Sequence, residues 1–204
     1  MKLNKLLLAS TTLLLALGVT ACGNTGNSTK TSTSQSSSKN EIISQNKELR
    51  QKFNKIKVGD LAQEGQGGST LTNVEKLLGV PSSTSSSTTN GIKVKDETFV
   101  KGNVTIVIQT INNNVVSKDI SGFKFSSRPT KITLATFNKV KDGSSYETIV
   151  KQFGEPDSLN ESLIMGTKNL TGTWLTGVKG DATASATFVF NNNRLESKNQ
   201  TDLK

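Results

Sequence analysis

Two segments of the chain repeat one pattern, and this echo limits the folds that the sequence can adopt. STLTNVEKLLGVPSS (69–83) and SSYETIVKQFGEPDS (144–158) share Ser, Lys, Gly, Pro and a final Ser at an offset of 75. In the second segment, Tyr146, Ile149 and Phe153 have the i, i+3, i+7 spacing that places apolar side chains on one stripe of a helix. The sequence therefore predicts the same amphipathic helix twice.

Both predicted helices carry stop signals, and the second also carries a start signal. Each segment contains Gly-x-Pro, at 79–81 and at 154–156. The glycine supplies the left-handed residue that ends a helix, and proline cannot continue one. Ser144 followed by Glu147 is a capping-box pattern, which the first segment lacks.

A further match precedes each helix. FNKIKVG (53–59) and FNKVKDG (137–143) lie at an offset of 84, because DLAQEGQGG (60–68) is inserted before the first helix. Each match predicts a helical turn or short helix. The apolar spacing extends the first of them back to about Glu41.

After each helix the apolar period changes to two, which predicts strands. NVTIVIQTI (103–111) and ATFVF (186–190) are the strongest, and each is followed by three asparagines. Because Asn tolerates positive φ, both Asn runs predict hairpin turns that lead into a further strand. Weaker strands precede each hairpin, at about 83–89, 92–100, 158–165 and 170–177.

These elements predict an α+β fold with two tandem repeats. Each repeat has two helices followed by a four-stranded antiparallel meander sheet. Four strands with one helix-covered face can form a core of their own, whereas a single hairpin cannot. We therefore expect one repeat at 41–124 and the other at 125–204, joined near Arg128 and Pro129.

The amino terminus has the features of an export signal. Lys2 and Lys5 precede an apolar run at 6–19 that is short for a membrane-spanning helix. Val19-Thr20-Ala21-Cys22 resembles the lipobox of bacterial lipoproteins. The resemblance implies that 1–21 is a signal peptide, removed before Cys22, and that the Cys22 thiol carries diacylglyceryl, a palmitate-type lipid. A plain signal peptide with an incidental cysteine is the alternative.

The residues that follow form a predicted tether. Segment 22–40 contains no Leu, Ile, Val or aromatic residue, and it is therefore expected to be disordered. Cys22 is the only cysteine, which excludes a disulfide within the chain. The expected location is outside the cell, anchored to the outer face of the cytoplasmic membrane by the N-terminal lipid.

The layout of 48–203 resembles tandem β-lactamase-inhibitor-protein-like repeats. YETIVKQFGEPDS, Trp174 and ATFVFNNNRLESKNQ carry most of the resemblance, which extends to lipoproteins of low-GC Gram-positive bacteria with this domain, a family of unknown function. It implies a pair of antiparallel sheets that present a concave, protein-binding face. The characterised inhibitors use disulfides and an aromatic-rich face. Since this chain has neither, inhibition of a β-lactamase is not carried over.

The sequence argues against an enzyme. Histidine is absent, which removes the commonest catalytic base and metal ligand. Ser-x-x-Lys occurs without the companion motifs of penicillin-recognising enzymes, at 36–39, 44–47 and 121–124. GQGG (65–68) lacks the context of a phosphate-binding loop and is interpreted as an ordinary loop. We expect no catalytic residue, cofactor or metal.

The expected function is therefore binding, and the expected partner is another surface protein or peptide that contacts the strands. Trp174, the one tryptophan, is a candidate anchor, although packing in the core is the alternative. Basic residues crowd 47–57 within a chain of net charge +9, and they form either a patch for anionic wall polymer or lipid or the solvated face of a helix. Nucleic acid is not an expected partner of an exported, tethered protein. A solute-capturing lipoprotein would need a deep apolar pocket, which the sequence does not indicate.

Overall fold

A computed structural model describes residues 47–204 apart from Asn90. The predicted signal peptide (1–21), Cys22 and the tether (22–40) lie outside the described residues. The helices are α1 (47–54), α2 (Leu71–Leu78), α3 (Leu134–Asn138) and α4 (Tyr146–Phe153), with a 3-10 turn at Leu61–Gln63. The strands are β1 (Ser83–Thr89), β2 (Ile92–Lys101), β3 (Val104–Ile111), β4 (Asn114–Ser121), β5 (Ser158–Ile164), β6 (Thr167–Trp174), β7 (Gly180–Asn191) and β8 (Arg194–Leu203). Among the described residues, no helix is long and apolar enough to cross a membrane.

The eight strands form one antiparallel sheet in the order β1 to β8. The α+β class and the eight strands are therefore confirmed, but the expected pair of separate sheets is wrong. β4 pairs with β5, from Ser117 opposite Ser162 to Ile120 opposite Leu159. In two separate sheets, β4 and β5 would each be an edge strand with unpaired backbone groups. Pairing the two strands with each other satisfies these groups.

One face of the sheet is buried beneath the helices. Along β3 and β7, buried residues alternate with half-buried ones, as expected for a strand with one covered face. Phe188 lies at the centre of this core, with its ring centroid 5.2 Å from that of Trp174, 5.3 Å from that of Phe137 and 6.2 Å from that of Phe153. Apart from Ile111 and Val116, the buried hydrophobic residues of the described region form one contiguous cluster.

Both halves hold the end of their first helix with a lysine from the last strand. Lys118 Nζ on β4 donates to the carbonyl of Phe53 (3.2 Å) and lies 4.6 Å from the centroid of its ring. Lys198 Nζ on β8 donates to the carbonyl of Phe137 (3.1 Å) and lies 5.2 Å from that ring centroid. Carbonyls at a helix C-terminus have no partner within the helix, so an ammonium group is a suitable donor for them.

The asparagine runs form tight hairpin turns in both halves. Asn112 and Asn113 have φ values of 47° and 69°, and Asn192 and Asn193 have φ values of 47° and 64°. These left-handed conformations are those of the two-residue turns that match the twist of paired strands. The turn between β3 and β4 and the turn between β7 and β8 therefore lie where the sequence predicts them.

The N-terminus of α4 differs from its prediction. Its N-cap is Ser145, whose Oγ accepts the N–H three residues later at 3.2 Å, and not Ser144. Ser144 is held outside the helix because its carbonyl accepts the N–H of Leu195 (2.8 Å). Glu147 makes no capping box. Its carboxylate instead accepts the side-chain amide of Asn193 (2.8 Å), so the helix start is fixed to the β7–β8 turn.

Candidate functional site

The face of the sheet opposite the helices, here called the open face, carries short polar side chains. Strand pairing places one residue from each of seven consecutive strands in a single row across this face. The row consists of Thr98, Val107, Asp119, Asn160, Thr171, Val189 and Ser197. Six of these residues are half-buried and Ser197 is exposed, so the row is accessible to a partner.

Neighbouring rows have the same chemistry. Ser158, Thr173, Thr187 and Asn199 lie opposite one another on β5 to β8, and the Thr173 and Thr187 hydroxyls are 3.2 Å apart. Side chains of this kind both donate and accept hydrogen bonds, and they carry no charge. The open face is therefore a mostly neutral surface that can hydrogen-bond to a partner without strong electrostatic selection.

Asp119 is the exception at the middle of the row. Burial raises the pKa of its carboxyl to about 6, although the positive charge of Arg50 acts in the opposite direction. Among the described residues, no hydrogen bond or salt bridge reaches this carboxylate, whose neighbours across the strands are Val107 and Asn160. Asp119 is thus a poorly solvated anion, accessible from the open face, that a donor or cation on a partner would stabilise.

Trp174 is placed in the core and not on the open face. Its side chain has no exposed surface, its indole N–H donates to the carbonyl of Gly154 (3.0 Å), and its ring packs edge-on against Phe188. A Cβ at position 172 would lie 2.8 Å from the indole, so Gly172 makes the space that the ring fills. In this structure the side chain is out of a partner's reach.

The basic segment at 47–57 is not one continuous charged patch. Lys47, Lys55 and Lys57 are exposed, whereas Arg50 is only 5% exposed. Lys52 is half-buried and pairs with Glu48 one helical turn away (2.9 Å). Sequence reasoning grouped Arg50 with the lysines because all lie in one short basic stretch, and nothing local marks the residue that faces inward.

Arg50 lies in the wall of a cavity of about 370 Å³ between α1, the segment after β4 and the end of α4. The cavity is lined by Lys47, Arg50, Gln51, Asn54, Phe123, Lys124, Phe125 and Glu155. The Arg50 guanidinium lies 4.6 Å from the centroid of the Phe123 ring. A pocket with aromatic walls and a few polar groups has the composition of a small-ligand site, and sequence reasoning did not predict one.

The Arg50 guanidinium is incompletely paired. Nη2 donates to the carbonyl of Pro156 (2.7 Å), while Nε and Nη1 have no hydrogen-bond partner within the described part of the chain. Burial lowers the pKa of Arg50, and the negative charges of Glu155, Asp157 and Asp119 oppose the shift. A buried, unpaired donor is costly and rare in native structures.

The described residues contain neither a cluster that could hold a metal ion nor a glycine loop shaped to bind phosphate. In the region that the structure describes, no group of three or more acidic, Cys or His residues could hold a metal ion. The glycines of 65–68 serve a tight loop: a Cβ on Gly68 would lie 2.4 Å from the carbonyl oxygen of Val115. This agrees with the interpretation of GQGG as an ordinary loop.

An eight-stranded antiparallel meander with short helices on one face defines a protein of the β-lactamase-inhibitor-like class. The structure matches the crystal structure of a "putative beta-lactamase inhibitor protein" from Streptococcus mutans with a TM-score of 0.66 and 31% sequence identity, covering 78% of this chain and 98% of that chain. Residues 45–203 match the family described as a Domain of Unknown Function with solved structure (DUF3862), and the chain belongs to this family. No curated protein matches the chain. The related structure is described as an inhibitor and not as an enzyme.

Proposed function

We propose that the chain is a non-enzymatic, lipid-anchored surface protein that binds another protein or peptide through the open face of its sheet. One observation carries the proposal. The central row of that face presents Thr, Asn and Ser side chains and two valines around Asp119, a desolvated carboxylate without a partner in the described residues. A partner that covers this surface can hydrogen-bond to the carboxylate and remove water from the row at the same time.

The chemistry of the open face also describes the partner. Short Ser, Thr and Asn side chains lose little conformational freedom on binding, and a surface of them favours main-chain or amide hydrogen bonds. Opposite Asp119 we expect a Lys or Arg of the partner, because a charge-assisted hydrogen bond is stronger than a neutral one. Any surface protein with a basic residue amid polar neighbours would satisfy these requirements.

The proposed body consists of two tandem copies of one unit. The equivalent contacts of Lys118 and Lys198 and the equivalent Asn turns support this duplication. In the proposal, the pairing of β4 with β5 joins the sheets of the two copies into a single wide surface. That surface is broader than a four-stranded unit could offer.

The proposed location is the outer face of the cytoplasmic membrane, held by lipid on Cys22. The lipobox-like Val19-Thr20-Ala21-Cys22 motif supports this part of the proposal. Radiolabelled palmitate should enter the wild-type protein and not a Cys22→Ala variant, which should also fail to stay in the membrane fraction. Equal labelling of both proteins would contradict the lipid anchor.

Residue-resolved crosslinking in intact cells tests the binding surface. A photoreactive amino acid placed at Thr171 in the central row should yield a discrete protein adduct that survives a high-salt wash. The same group at Lys76, which is exposed on α2, serves as the matched control and should yield none. Adducts of equal intensity at both positions, or none at either, would refute the open face as the binding surface.

The alternative partner is an anionic wall polymer held by lysines. Polymer binding should weaken steeply as salt screens exposed charges, whereas contact through a mostly neutral face should not. Retention that disappears in salt and does not depend on the residue at position 171 would favour the polymer.

A further inference from the structure

The cavity beside Arg50 is separate in character from the open face. Its walls combine the aromatic rings of Phe123 and Phe125 with the side chains of α1. The two rings are stacked with centroids 6.1 Å apart. A volume of about 370 Å³ is within the range of small-molecule sites, roughly 300–1,000 Å³, so one small organic molecule fits.

The charges around the cavity favour an anion. Lys47, Arg50 and Lys124 contribute three cationic groups to the lining, and Glu155 contributes one anionic group. The Glu155 carboxylate already accepts the hydroxyl of Tyr146 (3.1 Å). Arg50 makes no salt bridge within the described residues, and two of its nitrogens lack an acceptor. The lining therefore carries a net positive charge beside an apolar space.

We propose that this cavity binds a small organic carboxylate, with its carboxyl group at Arg50 and its apolar body against Phe123 and Phe125. A carboxylate matches the planar, forked donors of a guanidinium better than a spherical ion does. The aromatic walls add apolar contact that inorganic anions cannot use. The site is independent of the protein-binding role of the open face.

Calorimetric titration of the full chain in a nonionic detergent tests the site, with phenylacetate as the probe. Phenylacetate should bind with a stoichiometry of one. Phenylacetamide, which has the same shape without the charge, should bind about tenfold more weakly or worse, as loss of a charge-assisted hydrogen bond predicts. Inorganic phosphate should not compete. The proposal is overturned if phenylacetate gives no binding at millimolar concentration, or if phenylacetamide or phosphate binds equally well.

Two variants connect the binding to the cavity. Arg50→Met should weaken phenylacetate binding about tenfold or more, and Arg194→Met, which removes an exposed arginine from the β7–β8 turn, should not. If Arg50→Met does not fold, Asn54→Trp gives the answer, because Asn54 is exposed at the cavity and a large ring there fills it. Unchanged phenylacetate binding by Asn54→Trp would overturn the proposal.

Discussion

One arginine, Arg50, packs against the segment between β4 and α3, and another, Arg128, lies within that segment and is fully paired. The side chain of Arg128 is 1% exposed. Its Nε donates to the carbonyl of Thr176 (2.5 Å), Nη1 to the carbonyl of Glu155 (2.7 Å) and Nη2 to the Asp157 carboxylate (2.6 Å). Asp157 also accepts the N–H of Leu175 (2.7 Å). This closed network fastens the connecting segment to the end of β6.

Arg50 has the same aromatic neighbourhood and lacks that pairing. Its guanidinium lies 4.6 Å from the centroid of Phe123, much as that of Arg128 lies 4.8 Å from the centroid of Phe125. Only one hydrogen bond, to Pro156, holds it. Burial alone therefore does not separate a structural charge from one that is free to bind a ligand. The two cases differ in whether the charged group already has hydrogen-bond partners, because a fully paired guanidinium has no free donor for a ligand.

The largest expected effect comes from opening the closed network. Arg128→Met leaves the Asp157 carboxylate buried without its cation, and we expect the free energy of unfolding to fall by about 3–5 kcal/mol. Urea unfolding followed by Trp174 fluorescence measures this, with exposed Lys179→Met as the control. A loss below about 1 kcal/mol would mean that the network is not structural.

Lys118 gives a second, smaller test of a satisfied charge. Its side chain is 3% exposed and pairs with Glu161 (3.3 Å). We expect Lys118→Met to lower the free energy of unfolding by about 2–3 kcal/mol, because the helix-end carbonyl of Phe53 and the carboxylate both lose a donor. Lys198→Met should cost less, since Lys198 is more exposed. Equal losses would show that burial does not govern these contacts.

Asp119 extends the comparison to an unpaired anion. Its folded-state pKa of about 6 is above the usual aspartate value of 3.8, so the folded state binds more protons between these pH values. Stability should therefore rise as the pH falls from 7 to about 4. Asp119→Asn should remove this rise and increase the free energy of unfolding at pH 7 by about 1–2 kcal/mol. Asp142→Asn, at an exposed position, is the control, and identical pH profiles for the two variants would contradict the assignment.

The smallest expected effect on stability is that of Arg50→Met. Since the charge is buried with only one hydrogen bond, its removal relieves a desolvation cost that offsets the lost contact. We expect the free energy of unfolding to change by less than about 1 kcal/mol in the urea assay. A loss as large as that of Arg128→Met would erase the difference between the two arginines.

Much of the fold follows from local sequence signals. Alternation along 103–111 and the Asn runs at 112–114 and 191–193 predict strands and turns that the structure contains. No local signal predicts that β4 pairs with β5, because any exposed strand edge can pair with another. The capping pattern at Ser144 gives a wrong prediction for a different reason, because the Ser144 carbonyl accepts the N–H of Leu195, a residue distant in sequence, and this holds Ser144 outside the helix.

The site residues were harder to predict because their character comes from distant neighbours. Arg50 is buried by Phe123, a residue far along the chain, so its own segment resembles an exposed basic helix face. Asp119 lies at an outward position of a predicted strand, but its desolvation depends on which residues face it from β3 and β5. Trp174 looked like a binding residue in the sequence but lies in the core, because Gly172 has no side chain and leaves room there for the indole ring.

The most direct test asks whether the unpaired carboxylate of the open face contacts the partner. The crosslinking group at Thr171 would be combined with Asp119→Lys, which reverses the charge two strands away in the same row, and separately with Asp142→Lys. We predict that adduct yield in intact cells falls about tenfold with Asp119→Lys and is unchanged with Asp142→Lys, while both variants remain folded by Trp174 fluorescence. Equal yields from the two variants would contradict the account.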